Sequence, residues 1–100
     1  MDIKIYNRKV TVSTAQIDEF GYLLDGCKIV IRQGLDHGDR LDTLVHELLH
    51  AICDVVGLHP DNEEGMVHAM ATGLTTVMID NPVFMSAIRQ LANDAREDLR

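Results

Sequence analysis

Two histidines four residues apart, with a glutamate after the first, form the most chemically pointed stretch of this chain: His46-Glu47-Leu48-Leu49-His50, or H-E-x-x-H. Residues four apart on a helix lie one turn above each other on the same face. Two imidazoles so placed can grip one tetrahedral Zn²⁺, and the intervening glutamate can take a proton from water at that metal. The pattern points to zinc-dependent hydrolysis of the peptidase type, with His46 and His50 as ligands and Glu47 as general base.

The stretch sits in a run that reads as a helix from Arg40 to Val56, with Asp39 as its cap and Gly57 ending it in a left-handed conformation. On a helical wheel Leu41, Leu44, Val45, Leu48, Ile52, Val55 and Val56 make one apolar stripe. Thr43, His46, Glu47, His50 and Asp54 fall opposite, so a core face and a polar face are expected to separate.

A catalytic zinc takes three protein ligands and keeps one position open. The third is sought in a second helix, Asn62 to Ile79, for which Asp61 looks like the cap. His59, Glu63, Glu64 and His68 are all within reach of such a site. Glu64 has a competing role, since Asp61 with Glu64 three residues on resembles a capping box. Glu63 projects into the middle of the apolar arc Val67, Met70, Ala71, Leu74, Val77 and Met78, where a carboxylate needs a partner and zinc would be one, so the wheel by itself leans slightly to Glu63 as the third ligand. Cys53, three residues past His50, is a weaker ligand candidate.

The remaining elements follow from pattern. Ile3–Tyr6 and Lys9–Val12 alternate at period two around Asn7-Arg8, as two short strands or a hairpin. Ser13 to Phe20 suggests a short helical turn. Tyr22–Leu24 and Cys27–Arg32 flank Asp25-Gly26, which supplies the positive φ angles of a type I′ turn. Asp80-Asn81-Pro82 stops the second helix and starts a third, whose stripe is Val83, Phe84, Ala87, Ile88, Leu91, Ala92, Ala95 and Leu99. This third helix is expected to finish the core or to cover the cleft. Strands first and helices after argue for an α+β fold, a small antiparallel sheet followed by three helices, rather than a doubly wound parallel sheet.

One hundred residues suit a single domain spanning 1–100. With nine basic against sixteen acidic residues the net charge is −7, which disfavours nucleic acid or an anionic membrane as partner. There is no Trp, and Tyr6, Phe20, Tyr22 and Phe84 are the only aromatics, so packing rests on aliphatics and five Met. No stretch reads as a signal peptide or a bilayer span, and Cys27 and Cys53 match no paired motif, which together suggest reduced thiols in a cytoplasmic protein.

Thr43 to Ala51, followed by Glu64-x-x-Val67-x-x-Met70-Ala71-x-x-Leu74, resembles the glutamate-type zincins (gluzincins). Within them it is most similar to the small one-domain minigluzincins and the ImmA/IrrE-like metallopeptidases of phages and mobile elements. The likeness covers roughly Tyr22 to Met78. It implies zinc held by His46, His50 and Glu64 and a peptide or protein substrate, and it points to a phage or prophage origin, in which case the cytoplasm expected above is the host's. It also implies an extended substrate lying along an edge strand above the metal helix, for which Cys27–Arg32 is the expected strand. Two departures matter. Leu49 stands where a Gly often precedes the second His. His68 stands four after Glu64, where thermolysin-like members carry an Asp that orients a metal-bound His. Orientation would then fall to Asp42 or Asp54, and His68 becomes a candidate donor to a tetrahedral oxyanion, with Tyr22 and Tyr6 as rivals. The alternative to an active peptidase is a latent or inactive zinc-binding protein with a regulatory or interaction role.

Overall fold

The computed structural model describes all 100 residues and has an α+β architecture, a four-stranded sheet followed by three helices. The strands are β1 (Asp2–Ile5), β2 (Arg8–Ala15), β3 (Gly21–Leu24) and β4 (Lys28–Arg32). The helices are α1 (His37–Val56), α2 (Glu63–Asp80) and α3 (Pro82–Asp98). No helix is long and apolar enough to cross a membrane.

The sheet order is β1-β2-β4-β3, and it is mixed rather than antiparallel throughout. β1 pairs antiparallel with the first half of β2, and β4 pairs parallel with the second half, from Thr11↔Lys28 to Ala15↔Arg32. Ser13–Ala15 therefore extends β2 instead of starting a helical turn. The following loop steps past the position of β4, so that β3 forms the outer edge and β4 returns between β2 and β3. Arg32 fastens this loop: its guanidinium donates to the Asp18 carbonyl at 2.9 Å and lies 4.8 Å over the Phe20 ring.

The β3–β4 connection is the expected Asp25-Gly26 turn, with φ +54° and +67° and a Cys27 N–H to Leu24 C=O bond of 3.1 Å. The ladder resumes one residue later, at Leu24↔Lys28, so Cys27 stands outside it as a bulge and its carbonyl accepts from Thr11 N–H. The first hairpin turns one residue earlier than the alternation suggests, at Tyr6-Asn7, with Tyr6 at φ +51°.

The core lies between one sheet face and α1. Val10, Ile29, Ile31, Leu35 and Ala51 are buried together, with Ile3, Ile5, Val12, Leu23, Leu44 and Leu48 packed around them. Helix α1 begins earlier than Asp39, because Asp36 is its cap and accepts from Asp39 N–H at 2.8 Å. Gly57 closes it at φ +70°, and Gly57 and Leu58 N–H reach back to the Asp54 and Cys53 carbonyls.

The two faces of α1 do not divide as the wheel suggests. Thr43, Glu47 and Ala51 are buried along one line, whereas Ile52 and Val56 reach solvent. At Gly21 on β3 a Cβ would sit 2.6 Å from Thr43 Cγ2 and 2.8 Å from the Val30 carbonyl oxygen, so glycine is what the edge strand needs where Thr43 of α1 meets it. Helix α2 packs on α1 through Val67, Ala71 and Thr75, a narrower face than the six-residue arc expected. Helix α3 buries no residue, so it neither finishes the core nor covers the cleft.

Candidate metal centre

Helices α1 and α2 each bring part of the site to one cleft of about 400 Å³. The lining includes His46, Glu47, His50, Asp54, His59, Glu63 and Glu64, with Gly21, Tyr22 and Leu23 of β3 along one side. His46 and His50 project from successive turns of α1, their ring centroids 5.0 Å apart. Glu64 faces both from the first turn of α2. Its Oε1 lies 2.8 Å from His46 Nε2, and its Oε2 lies 2.8 Å from His50 Nε2.

The capping-box alternative for Glu64 is not taken up. Asn62, not Asp61, caps α2, accepting from Gly65 N–H at 3.3 Å, and Glu64 points into the cleft. One donor atom from each of His46, His50 and Glu64 falls within 4.8 Å of the others. Two imidazole nitrogens and one carboxylate oxygen converging from two helices are the donor set of a three-ligand zinc site with an open position. The residues present therefore fit the ion.

Glu63 has a different task. Its Oε2 accepts from His50 Nδ1 at 2.5 Å and its Oε1 accepts from His59 Nδ1 at 2.6 Å. Holding Nδ1 leaves Nε2 of His50 turned toward Glu64, the orientation a carboxylate behind a histidine would give if that histidine held a metal. The carboxylate hydrogen-bonded to His50 Nδ1 is Glu63, not the Asp42 or Asp54 expected there. Asp54 pairs with Arg8, which also donates to the Gly26 carbonyl at 3.3 Å, and lies 3.8 Å from His59 Nε2. A continuous polar chain thus runs from His50 through Glu63 and His59 to Asp54 and Arg8. The sequence brings Glu63 forward as a candidate ligand, because the apolar arc leaves it without a partner, and the structure gives it His50 and His59 as partners. The wheel shows that it needs a partner but not which one.

The electrostatics separate the acid groups. Burial pushes the Glu47 carboxyl above its ordinary 4.5, with the His46 and His50 charges pulling it down and Glu64 pushing it up. Glu47 is only 7% exposed yet makes no hydrogen bond to another side chain, so its carboxylate is free beside the three donors. Glu63 is held below 4.5, chiefly by the hydrogen bonds from His50 and His59. Burial alone would lower the His50 pKa, but its bonds to Glu63 and Glu64 and the nearby carboxylate charges outweigh this and hold it above 6.5. Burial and the Glu63 charge push the Cys53 thiol up, which keeps it protonated and unsuited to bind metal.

The other candidates are distributed around this centre. His68 is exposed, its ring 6.2 Å from that of His46, and with Asp42, Thr43, Phe20 and Gly21 it lines a second opening onto His46 and Glu47. Tyr22 lines the main cleft, whereas Tyr6 is exposed at the first turn and lines neither. The strand beside the site is β3, not Cys27–Arg32, because β4 is paired on both sides. No protein-family model, no curated protein and no solved structure matches this chain.

Proposed function

We propose that this chain is a zinc-dependent peptidase of the gluzincin type. The observation that carries the reading is the convergence of His46, His50 and Glu64 beside a buried, unpartnered Glu47. Zinc held by those three residues would supply Lewis acidity, polarising a carbonyl and making water acidic near neutral pH. Glu47 accepts the proton of the attacking water and returns it to the leaving amine, tasks that suit a carboxylate whose pKa is raised toward the working pH. Glu63 fixes the His50 ring while this happens.

An extended peptide fits the edge of β3. Arg32 N–H bonds to the Phe20 carbonyl at 2.8 Å, and the alternation of an antiparallel ladder then turns the backbone groups of Gly21 and Leu23 toward the open edge. Both residues line the cleft. Main-chain pairing there would hold substrate with little sequence selectivity. Helix α3 contributes nothing to the cleft lining, so the reading needs no segment to be removed.

Glu47→Gln tests the proposal. It should lower peptide hydrolysis by at least about 10²-fold while elemental analysis still finds one zinc per chain, and Glu64→Ala should lose the metal. Peptidase activity retained in Glu47→Gln would sink the mechanism. Equal zinc in wild type and Glu64→Ala would sink the site. A second reading, a zinc-bound interaction protein without turnover, is favoured by the apolar surface left open on α2 and α3. It predicts zinc in the wild type and no hydrolysis of any peptide.

A further inference from the structure

The candidate centre opens to solvent through two mouths. The second, of about 260 Å³, shares Gly21, His46 and Glu47 with the main cleft. It lies at the Phe20 end of β3, whereas the main cleft runs along Tyr22 and Leu23 toward Gly26. Its own walls are Phe20 from the loop before β3, Asp42 and Thr43 from α1, and His68 from α2. A peptide laid along β3 and cut beside Glu47 would therefore have the main cleft on one side of the cut bond and this pocket on the other.

The carboxylates around the two mouths are matched unequally. Glu63 and Glu64 are each paired with two histidines, and Asp54 is paired with Arg8. Glu47 is the base of the proposed reaction. That leaves Asp42, a half-buried carboxylate on the wall of the second pocket that forms no ion pair. A carboxylate partly withdrawn from water favours a cation beside it. The chain does not provide one, since no Lys or Arg lines either mouth. Arg32 lies over the Phe20 ring, but its guanidinium is held by the Asp18 carbonyl and takes no part in the pocket wall.

We infer that this pocket binds a basic side chain, Lys or Arg, of the substrate residue next to the cleaved bond, with Asp42 as the specificity-determining residue. The inference rests on the peptidase reading and narrows its substrate class to basic peptides. Long cationic side chains lay their aliphatic stems on apolar surface while the charged head reaches a polar partner. Phe20 offers surface to the stem, and Asp42 accepts from the head. The net charge of −7 acts in the same direction, drawing cationic peptides toward the molecule.

Steady-state hydrolysis of a matched peptide set by the zinc-loaded full chain tests it. The peptides share one sequence and carry Lys, Arg, Met or Glu at either position flanking the cleaved bond. At one of those positions Lys and Arg should exceed Met in kcat/KM by about 10-fold or more, as a hydrogen bond to a charged partner provides. Glu should fall below Met. Asp42→Asn should bring Lys, Arg and Met to within about 3-fold of one another, and Asp42→Lys should place Glu first. Ratios between peptides on one variant do not depend on how much of that variant is folded or loaded with metal, so partial misfolding cannot imitate either result. Cleavage without a basic preference, or a preference that survives Asp42→Asn, would overturn the inference and leave the peptidase reading standing. No cleavage of any peptide would overturn the peptidase reading and this inference with it.

Discussion

The two ends of α2 are built on opposite terms. At its start Glu63 and Glu64 are each held by two histidines, and the cleft wall is tied across the molecule from α1 to Arg8 on β2. At its finish a one-residue joint releases α3, whose apolar side chains touch almost nothing. A carboxylate can be satisfied by two or three atoms at short range, so a polar site can be completed by a few residues of a small chain. An apolar stripe needs hundreds of square ångströms of matching surface, which the sheet and α1 do not offer α3 and which the one-residue joint keeps α2 from offering. The molecule is thus complete where chemistry is proposed and incomplete where packing alone would be at work.

Changes in the tied corner should cost far more than changes on the arm. Gly21→Ala is the largest expected: the new methyl would meet the Val30 carbonyl at 2.8 Å, and backbone cannot swing away as a side chain can. A loss of about 1–3 kcal/mol in denaturant unfolding is expected. An unchanged midpoint would mean that α1 does not lean on β3 as described. Glu63→Ala should come next. It frees the His50 ring without removing a ligand, so zinc affinity should fall about 10–100-fold at unchanged stoichiometry. Complete loss of zinc would make Glu63 a ligand and reverse its assignment with Glu64.

The same corner should give the protein a pH signature. His50 has a folded pKa above its ordinary 6.5, so its bonds to Glu63 and Glu64 stabilise the metal-free protein fully below about pH 6.5 and less as pH rises through the folded value. Metal binding requires the opposite state, because zinc must displace the proton on Nε2. The zinc-induced rise in melting temperature should therefore grow as pH increases through and above 6.5, read as the difference between melts in zinc and in chelator. A constant difference across that window would show that His50 does not give up a proton to the metal.

What the sequence revealed of this comparison, and what it hid, follow one rule. Motifs set by local spacing were legible: His46 and His50 a turn apart, Asp25-Gly26 at a hairpin, Gly57 at a helix end and Pro82 at a helix start. The helix count and the α+β class came from the same local signals. Features set by where elements meet were not. Nothing in Cys27–Arg32 says that it slots between two strands and leaves β3 at the edge, because parallel pairing with β2 is a long-range choice. The close meeting of Thr43 with β3 rests on a glycine 22 positions earlier in the chain. The caps slipped for a smaller reason. Asp36 and Asn62 compete with the neighbouring Asp39 and Asp61, and chemically equivalent cap residues within three positions cannot be ranked without the backbone.

The smallest effect should come from the arm. Gln90 Nε2 donates to Asp94 Oδ1 at 3.0 Å, one turn apart on the exposed surface of α3. A pair of this kind contributes roughly 0.2–0.5 kcal/mol, so Asp94→Ala should shift unfolding by no more than about 0.5 kcal/mol. Asp94 stands three residues after Leu91 and seven after Ala87, at the margin of the apolar stripe. A larger loss on Asp94→Ala would therefore mean that this margin of α3 is packed rather than open, and that the arm is tied down on a side where its exposed residues show no such contact.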